Sequence, residues 1–216
     1  MRPMVTLAAI LAALILFAEG VGAATVPWID LEEMATRAEV IALGTVEKVE
    51  SVWTPDGRMI VTTVTFEIEK GLKGGPRQRV SIRIPGGRVG DQILVASGAP
   101  TFSEGERLVL FLERPGTGVS GRDDGGTRGG PDRGRGGPLE TLFSIVGWNL
   151  GKMPVWRDAR TDRDLVHDPS RDSVTYIGPD GRPIDRTRTR RGPEELGQFL
   201  QRVEGILEKA AQGTAQ

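Results

Sequence analysis

The chain has 216 residues, 28 Lys and Arg against 29 Asp and Glu, a formal net charge of −1 and no cysteine. The balanced charge gives no general attraction to nucleic acid or to an anionic membrane surface. Without thiols there are no disulfides, thiolate metal sites or cysteine nucleophiles, so an exported domain must be held together by core packing alone.

The first segment reads as an address. Arg2 precedes an apolar run from Val5 to Phe17, and the small residues Val21-Gly22-Ala23-Ala24 close it. A positive start, a short apolar stretch and a small-residue end predict a secretory signal peptide over 1–23, cut after Ala23 or else after Ala24. The run is shorter than the about 20 apolar residues of a membrane span. No cysteine follows it for lipid attachment. The protein is therefore expected to be exported, periplasmic or secreted, with no stable membrane anchor after cleavage; an uncleaved anchor is the alternative.

Residues 24–156 carry a β pattern behind one short helix. Asp30 and Glu33 have the types and spacing of a capping box, and Leu31, Met34, Ala35 and Ala38 follow at helical spacing, predicting a helix over 31–38. Val40 to Trp53 is rich in β-branched residues, and its alternation slips between Gly44 and Val49, as at a bulge. Thr54-Pro55-Asp56-Gly57 suits a tight turn, and Arg58 to Glu69 alternates cleanly, so the two strands predict a hairpin. Val80 to Ile84 is a shorter strand ended by Pro85-Gly86-Gly87, and Ile93 to Ala96 is a weaker one. Leu108 to Leu112 (LVLFL) is apolar throughout, the pattern of a strand buried on both faces. Leu142–Trp148 and Met153–Trp156 are further strand candidates.

Between 115 and 138 the composition falls to Gly, Arg, Asp, Pro and Ser, too apolar-poor to offset the entropy of ordering, so a disordered insertion is expected. Residues 157–192 are polar and read as extended. A closing amphipathic helix is expected over 193–212, with Pro193 at its first position and Leu196, Phe199, Leu200, Val203, Ile206, Leu207 and Ala210 on one stripe. Gly197 and Gly205 each cost such a helix about 1 kcal/mol, so its stability must come from docking on the β core.

No residue set completes a known catalytic arrangement. His167, the single histidine, lies in Asp162-Arg163-Asp164-Leu165-Val166-His167-Asp168, whose spacing fits neither a zinc pair nor a calcium loop. No serine sits in a Gly-x-Ser-x-Gly elbow. Glu104 and Glu106 flank Gly105 in a polar turn and read as residues that keep a hairpin turn soluble rather than as a glycosidic carboxylate pair. Pro85-Gly86-Gly87-Arg88-Val89-Gly90 precedes a strand, where a phosphate cradle needs a helix. The Arg–Gly tract lacks the aromatics that stack on single-stranded nucleic acid. Four tryptophans remain, Trp28, Trp53, Trp148 and Trp156, the last three at strand ends. Trp53, Trp148 and Trp156 are the candidate partner-binding residues, since tryptophan gives large contact area at low entropy cost; the alternative is that they cap the ends of the core.

The stretch from Ala38 to Glu113 resembles a recurring domain of uncharacterised exported bacterial proteins. The resemblance is carried by Ala38-Glu39-Val40-Ile41, Gly44-Thr45-Val46, Asp56-Gly57-Arg58, Thr62 to Ile68, Gly71-Leu72-Lys73-Gly74, Pro85 to Gly90 and Phe102 to Glu106, with Val146 to Lys152 similar to its closing strands. More distantly, the run is similar to the start of netrin-like OB domains such as the tissue inhibitors of metalloproteinases. That likeness implies a five-stranded OB-type barrel. It transfers no inhibitory residue, because those inhibitors act through an N-terminal cysteine and this chain has none.

The expected fold is mainly β: a small, partly open OB-like barrel with a short N-terminal helix and a C-terminal amphipathic helix packed on it. The expected function is that of an exported, non-catalytic binding module for a protein or peptide partner, monomeric and without metal or cofactor. A protease-associated accessory or inhibitor-like protein is the second reading. A metal-dependent hydrolase using Asp162, Asp164 and His167 is a third, from another class.

Overall fold

Strand β2 (Val40–Trp53) organises the molecule because its first half is buried on both faces and paired on both edges. A computed structural model describes residues 26–27, 29–75, 77–115, 142–167, 176–177, 182 and 193–213. The expectations for the signal segment, Trp28, nearly all of the 115–138 insertion and most of 157–192 lie outside the described residues. The described residues are mostly β, with two α-helices among them. In order come β1 (Val26–Pro27), α1 (Leu31–Arg37), β2, β3 (Ile60–Lys73), β4 (Arg79–Pro85), β5 (Gly87–Val89) and β6 (Gln92–Leu94). They are followed by β7 (Arg107–Glu113), β8 (Leu142–Ile145), a 3-10 turn (Trp148–Gly151), β9 (Lys152–Asp158), β10 (Arg163–Val166), β11 (Tyr176–Ile177), β12 (Glu194–Glu195) and α2 (Leu196–Gly213).

The main sheet runs β12-β10-β9-β7-β2-β3-β4-β8, and β7 also pairs with β8. Five strands therefore pair in a ring, β2-β3-β4-β8-β7 and back to β2. Within it only β4 and β8 are parallel. β9, β10 and β12 extend from β7 as a wing.

The ladder between β2 and β3 shifts register at three places, between Ile41 and Ala42, Leu43 and Gly44, and Val46 and Lys48. The slip expected between Gly44 and Val49 is thus a bulge at Glu47, and such extra residues bend and twist a strand, as a ring of five requires. Gly44 sits at one shift because a Cβ there would meet the Glu67 carbonyl and the Phe66 ring.

β7 divides two cores. Leu108, Leu110 and Leu112 join Val40, Ala42, Val46, Val64, Phe66, Ile82 and Phe143 inside the ring. Val109 and Phe111 face the other way, into a cluster with Ile41, Leu43, Met34, Ala35, Leu150, Val155, Val166, Phe199, Leu200 and Val203. The LVLFL run is buried on both faces for this reason.

α1 is capped by Asp30, whose Oδ1 accepts from the Glu33 N–H at 2.8 Å. Lys73 closes its other end by donating to the Ala35 and Thr36 carbonyls at 2.8 and 2.9 Å. Arg37 then ties the helix to β7 through both oxygens of the buried Glu113, at 3.0 and 3.2 Å. α2 buries Leu196, Phe199, Leu200 and Val203, each contributing about 1.5–3 kcal/mol as an upper bound. This outweighs the propensity cost of its two interior glycines, Gly197 and Gly205. The helix begins at Leu196, three residues after Pro193, because Glu194 and Glu195 pair with Val166 and Leu165 of β10. Likewise the sheet crosses the boundary expected at 156: β9 runs on to Asp158, and β10 carries Val166 into the core.

Candidate interaction surface

The hairpin of β2 and β3 ends in a built turn. Thr54 N–H donates to the Met59 carbonyl at 2.7 Å and Gly57 N–H to the Thr54 carbonyl at 2.8 Å. Asp56 accepts from the Thr54 hydroxyl, which together with the Arg58 N–H holds its carboxyl below the ordinary aspartate value. Gly57 supplies the left-handed residue, with φ of +67°.

A second hairpin, β5 and β6, is fastened to this end. Gly86 N–H donates to the Ile60 carbonyl at 2.8 Å, and Thr62 Oγ1 donates to the Gly86 carbonyl at 2.7 Å. Thr62 in turn shares a 2.8 Å hydrogen bond with Ser51 Oγ. Gly87 adopts φ of +136° and presses on Ser51 and Thr62 so closely that no Cβ fits. The Pro85-Gly86-Gly87 turn is therefore a site of close backbone approach that seats one hairpin on another.

Six large apolar side chains stay exposed on these two hairpins: Val52, Trp53, Met59, Ile93, Leu94 and Val95. Val52 is 53% exposed, Ile93 60% and Val95 82%. Exposed apolar residues concentrated in one region mark interaction sites more often than scattered ones do.

The three candidate tryptophans do not form one site. All are partly exposed: Trp53 40%, Trp148 42% and Trp156 37%. Through Leu108, Gly44 of β2 and Pro154 of β9 lie at one level of the sheet. Trp156 lies two residues past Pro154 and Trp53 nine past Gly44, so about 23 Å of strand separates their levels. Trp156 meets His167 edge to face, with ring centroids 6.0 Å apart. Trp148 opens the 3-10 turn at a left-handed φ of 58°. Trp53 alone belongs to the paired-hairpin surface. Sequence reading missed its companions Ile93, Leu94 and Val95; the Gly-Gly pair before a short apolar run was the available signal.

The acidic candidates are engaged structurally. Asp164 accepts from Arg107 at 2.7 Å and from Arg157 at 3.3 Å. The Arg107 hydrogen bond comes first among the causes that hold Asp164 below its ordinary pKa. Asp162 accepts from Arg157 at 2.9 Å. Among the described residues no group of three or more His, Asp and Glu is placed to hold a metal. Glu104 Oε1 accepts the Val49 N–H at 3.1 Å, and Glu106 bridges Lys152 at 2.7 Å. Between α1 and α2 lies a cleft of about 500 Å³, whose walls carry both signs of charge in Asp30, Glu32, Arg202 and Lys209.

No protein-family model matches the chain, and no curated protein matches it.

Proposed function

We propose that the chain is an exported, non-catalytic binding module of the OB type, which takes a protein or peptide partner at the paired-hairpin end of its sheet. Five strands pairing in a ring with one parallel pair support the OB reading. OB barrels bind through the face of their second and third strands and through the loop between the first two. Here that loop is the Thr54–Met59 turn, which holds Met59 and follows directly on Val52 and Trp53. The single observation behind the reading is the exposure of Val52, Trp53, Met59, Ile93, Leu94 and Val95 on two hairpins fastened to each other. Export rests on the signal-peptide pattern of 1–23.

The test is affinity capture from envelope extracts with the mature chain, beside Trp53→Ala and Ile93→Glu variants. A partner held by the wild type and lost from both variants supports the reading. Equal recovery by all three chains overturns it. The hydrolase reading loses ground because Asp162 and Asp164 are spent on arginines.

A further inference from the structure

The open edge of β2 beside this surface has a defined chemistry. β3 covers one edge of β2 as far as Trp53, but β7 covers the other only from Val40 to Thr45. The turn before β7 adds one step, with Val46 N–H donating to the Glu106 carbonyl at 2.9 Å and Gly105 N–H to the Val46 carbonyl at 2.8 Å. Beyond Val46 no strand among the described residues pairs with that side.

In an antiparallel ladder, alternate residues turn both main-chain groups to the same neighbour. Thr54 N–H bonds across the hairpin to Met59, and the Ile60 carbonyl is taken by Gly86 of the next strand. Val52 and Glu50 therefore face β3, while Val49, Ser51 and Trp53 face outward. Val49 obeys this parity, since its N–H reaches outward to Glu104 at 3.1 Å. The N–H and C=O of Ser51 and Trp53 find no partner among the described residues. Lys48 and Glu50 neutralise each other at 2.7 Å at the near end of the edge. The Ser51–Trp53 end carries no charge of its own. Arg88 follows Gly87, the residue pressed against Ser51, and among the described residues no carboxylate pairs with it.

We propose that an extended peptide segment of a partner protein adds to β2 as a further strand, pairing its main chain with Ser51 and Trp53 and placing an acidic side chain near Arg88. Such an edge repeats N–H and C=O at strand spacing, a pattern that an extended peptide matches and that sugars and nucleic acids do not. Main-chain pairing supplies the affinity, while Trp53 on one face and Val52 on the other supply exposed apolar surface for alternate side chains. This inference rests on the reading that the paired-hairpin end is the binding end.

The probe is a display library of short random peptides selected against the mature chain, followed by amide hydrogen exchange of the chain saturated with the selected peptides. The expected result is enrichment of Asp or Glu among the selected peptides and a slowing of the Ser51 and Trp53 amides by about tenfold or more. Ser51→Pro, which removes one outward donor, weakens peptide binding by about tenfold. The exchange measurement uses the unaltered chain, so it does not depend on that variant folding. Peptides that bind without protecting these two amides overturn the inference, as does a library that yields none. Protection that grows with protein concentration in the absence of peptide also overturns it, by showing a second copy on the edge. In each of these cases a partner captured from extracts and lost with Trp53→Ala leaves the broader reading standing.

Discussion

Arg107 and Asp164 meet with a guanidinium nitrogen 2.7 Å from a carboxylate oxygen. The contact joins the ring of strands to the wing, since Arg107 opens β7 and Asp164 lies on β10. The same guanidinium reaches Glu69 of β3 at 2.9 Å. Asp164 also takes Arg157, and Glu69 also takes the Thr45 hydroxyl, so three strands of the ring and two of the wing share one network.

Removing the arginine should cost more than removing either acid, because it leaves two carboxylates side by side. Arg107→Met is expected to lower stability by about 2 kcal/mol and Asp164→Asn by about 1 kcal/mol, the smaller value because Arg107 then keeps Glu69 as a partner. Urea unfolding midpoints at neutral pH measure both, and equal losses for the two variants contradict the network.

The network also sets an acid limit. Burial alone would raise the Glu69 carboxyl, but hydrogen bonds from Arg107 and Thr45 outweigh it and leave the group below its ordinary value. Asp164 is lowered chiefly by Arg107. Acids depressed in the folded state contribute stability above their unfolded pKa values, near about 4, and that stability is lost as pH falls through the lower folded values. Thermal midpoints should therefore hold from neutral pH to about pH 5 and fall below it. The fall should be shallower in Asp164→Asn, and identical acid limbs for variant and wild type would refute the assignment.

Two glycines should respond in opposite directions. Gly44→Ala drives a methyl into the Glu67 carbonyl, so it should cost about 1–3 kcal/mol. Gly205 in α2 has open space where a Cβ would stand, and alanine there should add about 0.5–1 kcal/mol. Chemical denaturation of the two variants decides this.

The Arg37–Glu113 pair offers a cycle. Glu113 is 5% exposed, so Arg37→Met strands a nearly buried carboxylate and should cost about 2–4 kcal/mol. Adding Glu113→Leu to it should restore most of that loss, because two apolar side chains of similar size need no partner. A double variant no more stable than Arg37→Met shows that the helix is held by other contacts.

Core truncation separates the two clusters. Phe66 points inside the ring and Phe199 lies under α2. Each change to alanine should cost about 3–5 kcal/mol. Phe199→Ala should in addition speed amide exchange in α2 selectively, since that helix carries two interior glycines, Gly197 and Gly205, and depends on docking.

Local pattern determined much of this protein. Alternation drew β2 and the hairpin to β3, the slip after Gly44 marked the bulge, and LVLFL announced a strand covered on both sides. These features follow from side-chain period and local sterics, which neighbouring residues specify by themselves. What joins elements far apart in the chain was decided only in three dimensions. Glu194 and Glu195, good helix-start residues by charge, became a strand because β10 offered an edge. Arg107 found Glu69 and Asp164 across 38 and 57 residues of chain. Trp53, alike in sequence to Trp148 and Trp156, was separated from them by strand register and placed on a hairpin to which the hairpin of Ile93 and Leu94 is fastened. Which backbone edge stays open is set by where β7 leaves β2, a property of packing that no local pattern encodes.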